Sequence, residues 1–284
     1  MSDVTWIDPG NADQLRAWDI AEGVFWAEEA ELFEHALHRY DDALLRAAGI
    51  RDGDQVLDLG CGTGSTTRAA AWLAGTGTAL GVDLSSPMLA IAERTAAAIG
   101  LPNAHFAHVD AQIHPFADDE FDVVLSRTGS MFFADPAAAF SNLARATKPG
   151  GRLVLLTWQP PPRNEWFSSF TTTLAAGRQL PVPPPDAPGP FSQSDPDEVS
   201  RILIDAGLAA PTFEAHAEPM YFGPDVRTAE RFVLGVLGWL LADLDDDARH
   251  QTLGALRNDL AKHQTTDGIA YDSAAWLITS HLPR

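Results

Sequence analysis

The chain has 284 residues, 45% of them hydrophobic, and a formal net charge of -20. Such a length and composition suit a globular protein with a full hydrophobic core and exclude a fibrous or disordered chain. The excess of carboxylates repels phosphate backbones and argues against a nucleic-acid substrate, while acidic runs such as Asp243 to Asp247 read as solvated faces.

From Glu31 to Ala48, apolar residues at Phe33, Leu37, Tyr40 and Leu44 follow three- and four-residue steps, predicting a helix with one buried stripe that Gly49 ends. Gln55 to Leu59, bounded by glycines, predicts a buried first strand. A small-residue helix follows over Ser65 to Ala74, then a second strand over Thr78 to Asp83. Ser86 as N-cap with Pro87 at the first helical position starts a helix that runs to Gly100, with Met88, Leu89 and Ile91 facing inward. Asn103 to Val109 and Phe121 to Ser126 predict the third and fourth strands. Asp135 and Pro136 cap a helix that ends at Lys148 to Gly151, and Leu153 to Trp158 is the fifth strand. Alternation of strand and helix calls for a parallel sheet covered on both faces.

After Gln159, the prolines at Pro160 to Pro162 and within Pro181 to Pro190 impose extended, turn-rich backbone and mark an insertion. Asp195 and Pro196 begin a helix to Ala206, Pro211 to Tyr221 is a sixth strand, and helices over Thr228 to Leu244 and Ala248 to Lys262 precede a last strand at Ala274 to His281. The expected organisation is one structural domain: a helical lead-in over 1–54, a core over 55–158, a proline-rich cap over 159–194 and a sheet-completing segment over 195–284. The single cysteine, Cys61, cannot form an intramolecular disulfide, and no Cys and His cluster has metal-site spacing, so no metal and a reducing, cytoplasmic setting are expected. Met1 to Gly10 lacks a basic then apolar pattern, and the longest apolar run, Phe232 to Ala242, is too short to span a bilayer, so neither export nor a membrane span is expected.

The chemistry concentrates where the first strand ends, at Asp58-Leu59-Gly60-Cys61-Gly62-Thr63-Gly64. Glycines there let main chain take left-handed angles and approach a ligand, and the next helix offers unpaired amides. About 20 residues on, the second strand ends in Asp83, where doubly wound folds use an acid to accept hydrogen bonds from ribose hydroxyls. The spacing is G-x-G-x-G, with Ser65 where dinucleotide enzymes generally need a glycine, which leaves a nicotinamide-dependent oxidoreductase as a lesser alternative.

From about Gln55 through Trp158 the sequence resembles class I S-adenosylmethionine-dependent methyltransferases, in a bacterial branch near the ubiquinone-type enzymes. That resemblance implies a Rossmann-like, doubly wound, seven-stranded α/β sheet, mostly parallel with an antiparallel last strand, with helical cap insertions. It implies S-adenosyl-L-methionine as cofactor, its methionine part held by Asp58 and the turn residues Gly60, Cys61, Gly62 and Gly64. Asp83 matches the ribose acid, Leu84 and Met88 the apolar residues that flank adenine, and Asp110 and Ala111 the adenine-edge motif. Phe121 to Val124 with Ser126 and Arg127 resembles the strand beneath the transfer site, and Lys148 to Leu153 the turn into the fifth strand. Trp18 to Trp26 resembles a tryptophan-rich lead-in that lies across the cofactor, so Trp18 and Trp26 are expected either to shield the sulfonium with their ring faces or to pack as core.

Methyl transfer is an in-line displacement from an activated sulfur, so alignment and exclusion of water are the enzyme's main tasks. A catalytic base is unassigned among His35, His38, Tyr40, His114, Arg127, His216 and Tyr221. The acceptor pocket is expected above the carboxyl ends of the strands, closed by the lead-in and the insertion, and lined by Met131, Phe132, Phe133, Trp158, Trp166, Phe167 and Phe170. A small organic acceptor with apolar surface follows, with binding of the cofactor without transfer as the alternative.

Overall fold

The computed structural model describes residues 6–181, 184 and 187–284. Met1 to Thr5 of the leader, and Val182, Pro183, Pro185 and Asp186 of the proline run, lie outside the described residues. The chain opens with α1 (Ala12–Arg16), a π-helical turn (Ala17–Ala21), α2 (Glu22–Glu28) and α3 (Ala30–Ala48). Helix α3 buries Phe33, Leu37, Tyr40 and Leu44, and Gly49 closes it in the left-handed conformation at φ 51, with its N–H on the carbonyls of Leu45 and Arg46.

Then come β1 (Gln55–Leu59), α4 (Ser65–Ala74), β2 (Thr78–Asp83), α5 (Ser86–Ala98), β3 (Ala104–His108), β4 (Phe121–Arg127), α6 (Pro136–Ala146) and β5 (Thr147–Trp158). The remainder is α7 (Glu165–Ala175), α8 (Pro196–Asp205), β6 (Thr212–Gly223), α9 (Val226–Leu237), α10 (Asp246–Lys262), β7 (Gln264–Thr265) and β8 (Gly268–His281). The sheet order is β3-β2-β1-β4-β5-β8-β6, with the two-residue β7 added beside β8. Pairings from β3 through β5 are parallel, and β8 runs antiparallel to both β5 and β6.

Strand side chains alternate between two cores, as period two demands in a sheet covered on both faces. Val56, Val123, Leu125, Val154 and Leu156 face α3, α4, α7, α9 and α10, whereas Leu57, Val124, Leu153 and Leu155 face α6 and α8. Chain order reverses between β1 and β4, so the turns leaving those two strands diverge and open a crevice at their carboxyl ends.

Several expected boundaries move for local physical reasons. The cap of α5 is Ser85 rather than Ser86, since the Ser85 hydroxyl accepts the Met88 N–H. Strand β5 starts at Thr147, which pairs with Phe121 across an irregular register, so the Lys148 to Gly151 segment lies within the strand. Strand β8 begins at Gly268 because β6 pairs along almost its whole length. Helix α9 stops at Leu237, and a 3-10 turn over Gly238–Leu241 follows where one long helix was expected. The insertion holds a helix, α7: its prolines lie on either side, and Trp166, Phe170 and Leu174, at four-residue steps, are buried. An eighth strand, β7, accompanies the expected seven. Among the described residues, no helix is long and apolar enough to cross a membrane.

Candidate active site

Beyond Leu59 the chain turns through Gly60, Gly62 and Gly64, all left-handed, at φ 62, 54 and 81. Each glycine answers a different need. A Cβ on Gly60 would lie 2.7 Å from the Cα of Gly129, and one on Gly64 would lie 2.7 Å from the Phe106 ring. At Gly62 a Cβ would make only an ordinary contact, with Met88 Sδ at 3.7 Å, and this glycine lines a void. Bare main chain toward a void is a cradle for a ligand.

Asp83, at the end of β2, braces that cradle. Its Oδ2 accepts the Gly62 N–H at 2.8 Å and its Oδ1 the Ser85 N–H at 2.9 Å. Burial raises its pKa above the ordinary carboxylate value, against the lowering effect of those amides. Beneath the loop, Asp58 Oδ2 accepts both the Thr66 and Thr67 hydroxyls at 2.6 Å. Its Oδ1 has no hydrogen-bond partner among the described residues, and burial pushes its pKa up to about 6.

The void is one cavity of about 660 Å³. Its wall includes Gly60, Cys61, Gly62, Asp83, Leu84 and Met88, together with Asp110 and Ala111, which are among the residues proposed from sequence to hold a cofactor. It also includes Trp158, Trp166, Phe167 and Phe170, with Phe222 and Phe232. Met131, Phe132 and Phe133 also line it, so all seven apolar residues expected around an acceptor do so. Asp58, Gly64 and Ser126 are not in the wall. Asp58 and Gly64 hold the turn from behind, and Ser126 Oγ donates to the Leu59 carbonyl at 2.8 Å.

Arg127 reaches the wall with its guanidinium engaged, Nη1 on Asp41 at 2.6 Å and Nη2 on the Ser65 hydroxyl at 2.7 Å. It thereby joins α3 to the start of α4. Glu34, also from α3, accepts the Thr63 hydroxyl at 2.7 Å and pairs with Arg68 at 3.0 Å. The lead-in helix is thus fastened to the cradle at two charged points. The other base candidates do not line the cavity: His35 stacks on Tyr221, Tyr40 bonds Ser273, and His114 packs on Phe116.

The lead-in also contributes to the cavity wall, through Asn11, Trp18 and Trp26. Asn11, almost fully buried, donates to Asp110 Oδ2 at 2.9 Å and Gln112 Oε1 at 3.2 Å, and accepts the Ala134 N–H at 2.9 Å. Asp110 also accepts the N–H groups of Asp8 and Gln112, so both oxygens of the expected adenine-edge acid are already engaged. Trp18 packs edge-on against Trp26 and Phe132, and Trp26 stacks on Phe33 at 3.5 Å while lining the cavity. Trp26 therefore has both the packing role and the exposure to the ligand space. Sequence reading missed Asn11, Glu34, Asp41 and Thr128, whose neighbours are distant in the chain and leave no local pattern.

Residues 56–151 match the family model described as a methyltransferase domain. That match covers the core from β1 to the start of β5 and makes the chain similar to class I S-adenosylmethionine-dependent methyltransferases. It is 35% identical over 152 residues to an uncharacterized protein of Mycobacterium tuberculosis, covering 53% of this chain and 54% of that one. It is 42% identical over 109 residues to the demethylmenaquinone methyltransferase of Thermus thermophilus, covering 38% of this chain and 49% of that enzyme. The chain spans about half the length of these curated relatives. The YcgJ protein of Bacillus subtilis has the same fold, with a TM-score of 0.60 at 21% identity, covering 87% of this chain and 99% of that one. S-adenosylmethionine is the cofactor of this methyltransferase class. The cradle at Gly62 and the carboxylate of Asp83 suit its adenosyl group, and the carboxylates in the wall suit its positive sulfur.

Proposed function

We propose that this protein transfers the methyl group of S-adenosylmethionine to a small organic acceptor held against the aromatic wall of the cavity. The observation that carries the reading is continuity: the glycine turn with Asp83 and the aromatic wall of Trp158, Trp166 and Phe170 belong to one cavity. When bound, the cofactor supplies an electrophilic methyl carbon on a positively charged sulfur. Asp83 receives the ribose hydroxyls through the lone pairs its two amide bonds leave free. Gly60 and Gly62 let main chain lie against the ligand, and Trp18 and Trp26 close the cavity from the lead-in side.

Residues 1–54 act as the lid of this arrangement, 55–158 as the cofactor core, 159–194 as the cap over the acceptor and 195–284 as the completion of the sheet. The acceptor's apolar body meets the rings of α7 and its neighbours, which exclude water from the reacting atoms. The single buried cysteine agrees with a reducing, cytoplasmic setting.

The test is a thermal melt of the purified chain with S-adenosylhomocysteine and, separately, with NAD, alongside transfer of label from methyl-labelled S-adenosylmethionine to a panel of small acceptors. Stabilisation by S-adenosylhomocysteine alone and a labelled product are expected. Stabilisation by NAD alone would transfer the site to nicotinamide chemistry, and tight binding with no labelled product across the panel would reduce the protein to a cofactor binder.

A further inference from the structure

Among the described residues, three that are not glycine hold left-handed backbone: Asp119 at φ 53, Thr128 at φ 61 and Ala176 at φ 50. Asp119 sits in the turn before β4, where aspartate tolerates this conformation, and Ala176 closes the end of α7. Thr128 is different. It is β-branched, the type of side chain for which this region is a genuine outlier, and it lines the cavity.

Its surroundings enforce the bend. The Thr128 N–H donates to the Leu156 carbonyl at 2.9 Å. On either side, Ser126 Oγ donates to the Leu59 carbonyl at 2.8 Å and accepts the Ser130 N–H at 3.0 Å. Gly129 is pressed onto the glycine turn, where a Cβ would lie 2.6 Å from the Leu59 oxygen and 2.8 Å from the Gly60 Cα. A glycine at position 128 would make the same bend without strain. The threonine therefore calls for a reason in its side chain, and strained residues held by over-determining contacts cluster where a side chain meets a ligand.

The hydroxyl indicates which ligand group suits it. Thr128 Oγ1 donates its proton to the Arg127 carbonyl at 2.7 Å, so it has only lone pairs left to offer. The residue leaves β4 beside the Gly60 turn, and Met131 and Trp158, near it in the chain and on the neighbouring strand, belong to the acceptor wall. It is thus tied on one side to β5, two residues before Trp158, and on the other, through Gly129, to the glycine turn.

We propose that Thr128 Oγ1 accepts a hydrogen bond from the nucleophilic group of the methyl acceptor, orienting it and selecting an amine or hydroxyl over a nucleophile that has no N–H or O–H. This inference rests on the methyl-transfer reading above. In the transfer, the acceptor's lone pair forms the bond to the methyl carbon, and the carbon–sulfur bond breaks with its electron pair left on sulfur. The acceptor's N–H or O–H proton stays hydrogen-bonded to Thr128 Oγ1 through the transfer and is lost to solvent when the methylated product leaves the cavity.

The experiment compares the full-length chain with T128V, T128S and T128G by thermal melt, by S-adenosylhomocysteine titration and by label transfer. The acceptor panel holds primary amines, phenols, thiols and 1,3-dicarbonyl carbon acids. The wild-type chain should methylate an amine or phenol. T128V, which keeps the shape and removes the oxygen, should lower kcat about tenfold, the size of one hydrogen bond, with S-adenosylhomocysteine affinity unchanged. T128S should restore turnover to within about threefold. T128G should raise Tm by relieving the bend yet turn over as slowly as T128V.

Wild-type turnover in T128V or T128G overturns the proposal, as does a T128G chain no more stable than wild type. So does a wild-type chain that binds S-adenosylhomocysteine but methylates only thiols or carbon acids, or no acceptor at all. If S-adenosylhomocysteine fails to raise the wild-type Tm, the methyltransferase reading falls first and this inference falls with it.

Discussion

Replacing Asp83 by alanine tests the cofactor site at its most informative point. Its carboxylate bonds the Gly62 amide through Oδ2 and the Ser85 amide through Oδ1, which leaves lone pairs on both oxygens for a ribose diol. Hydrogen bonds to a charged group contribute about 1.5–3 kcal/mol each, so two ribose hydroxyls are worth about 3–6 kcal/mol. At about 1.4 kcal/mol per decade, the D83A chain should bind S-adenosylhomocysteine roughly 10²- to 10⁴-fold more weakly. Loss of the two amide bonds also loosens the turn, and that appears separately as a lower Tm without ligand. Calorimetric titration gives the affinity, and melts with and without ligand separate binding from stability. A D83A chain whose dissociation constant stays within about threefold of wild type would refute the assignment of this turn to an adenosyl ligand.

Two further outcomes follow from buried polar groups. In N11A the Ala134 amide loses its partner, at a cost of about 1–3 kcal/mol at most, while Asp110 loses one bond and keeps those from Asp8 and Gln112; hydrogen exchange over residues 8–26 should speed up and S-adenosylhomocysteine affinity fall, and unchanged exchange would contradict a fastening role. For Asp58, the folded pKa of about 6 lies above the ordinary 3.8, so the folded state keeps a proton the unfolded chain has lost between those values. The contribution of this one group to stability is therefore fullest below pH ~4, falls as pH rises toward ~6 and levels off above that, a change of about 3 kcal/mol at most, which carboxylates held low, such as Asp122, oppose. Asp83 shifts in the same direction and adds to the slope. Urea unfolding of D58N across this range should give a flatter curve, and an undiminished slope would show that Asp58 is not its source.

The parts of the site visible in the sequence are those whose physics is local. A strand leading into Gly60, Gly62 and Gly64 fixes where the backbone bends, and Asp83 ends the next strand at a spacing set by one intervening helix. The helical stripe of α3 was equally legible, because Phe33, Leu37, Tyr40 and Leu44 share a face by helix geometry alone. Helix α7 was obscured because the prolines that bracket it dominate the composition of the segment.

Thus the alternation of strands and helices from β1 to β5 and the glycine cradle were determined by the sequence itself, through periodicity, caps and turn residues, and the cofactor was indicated by the resemblance to a methyltransferase class. Only the tertiary structure decided that Asn11 fastens onto Asp110, 99 residues away, that α3 docks on the cradle through Glu34 and Asp41, and that Gly129, next to the bent Thr128, packs against Gly60. The physical reason is range. Dihedral preferences and side-chain periodicity act over a few residues, whereas these contacts depend on how distant strands and helices are brought together, which no short window of sequence encodes.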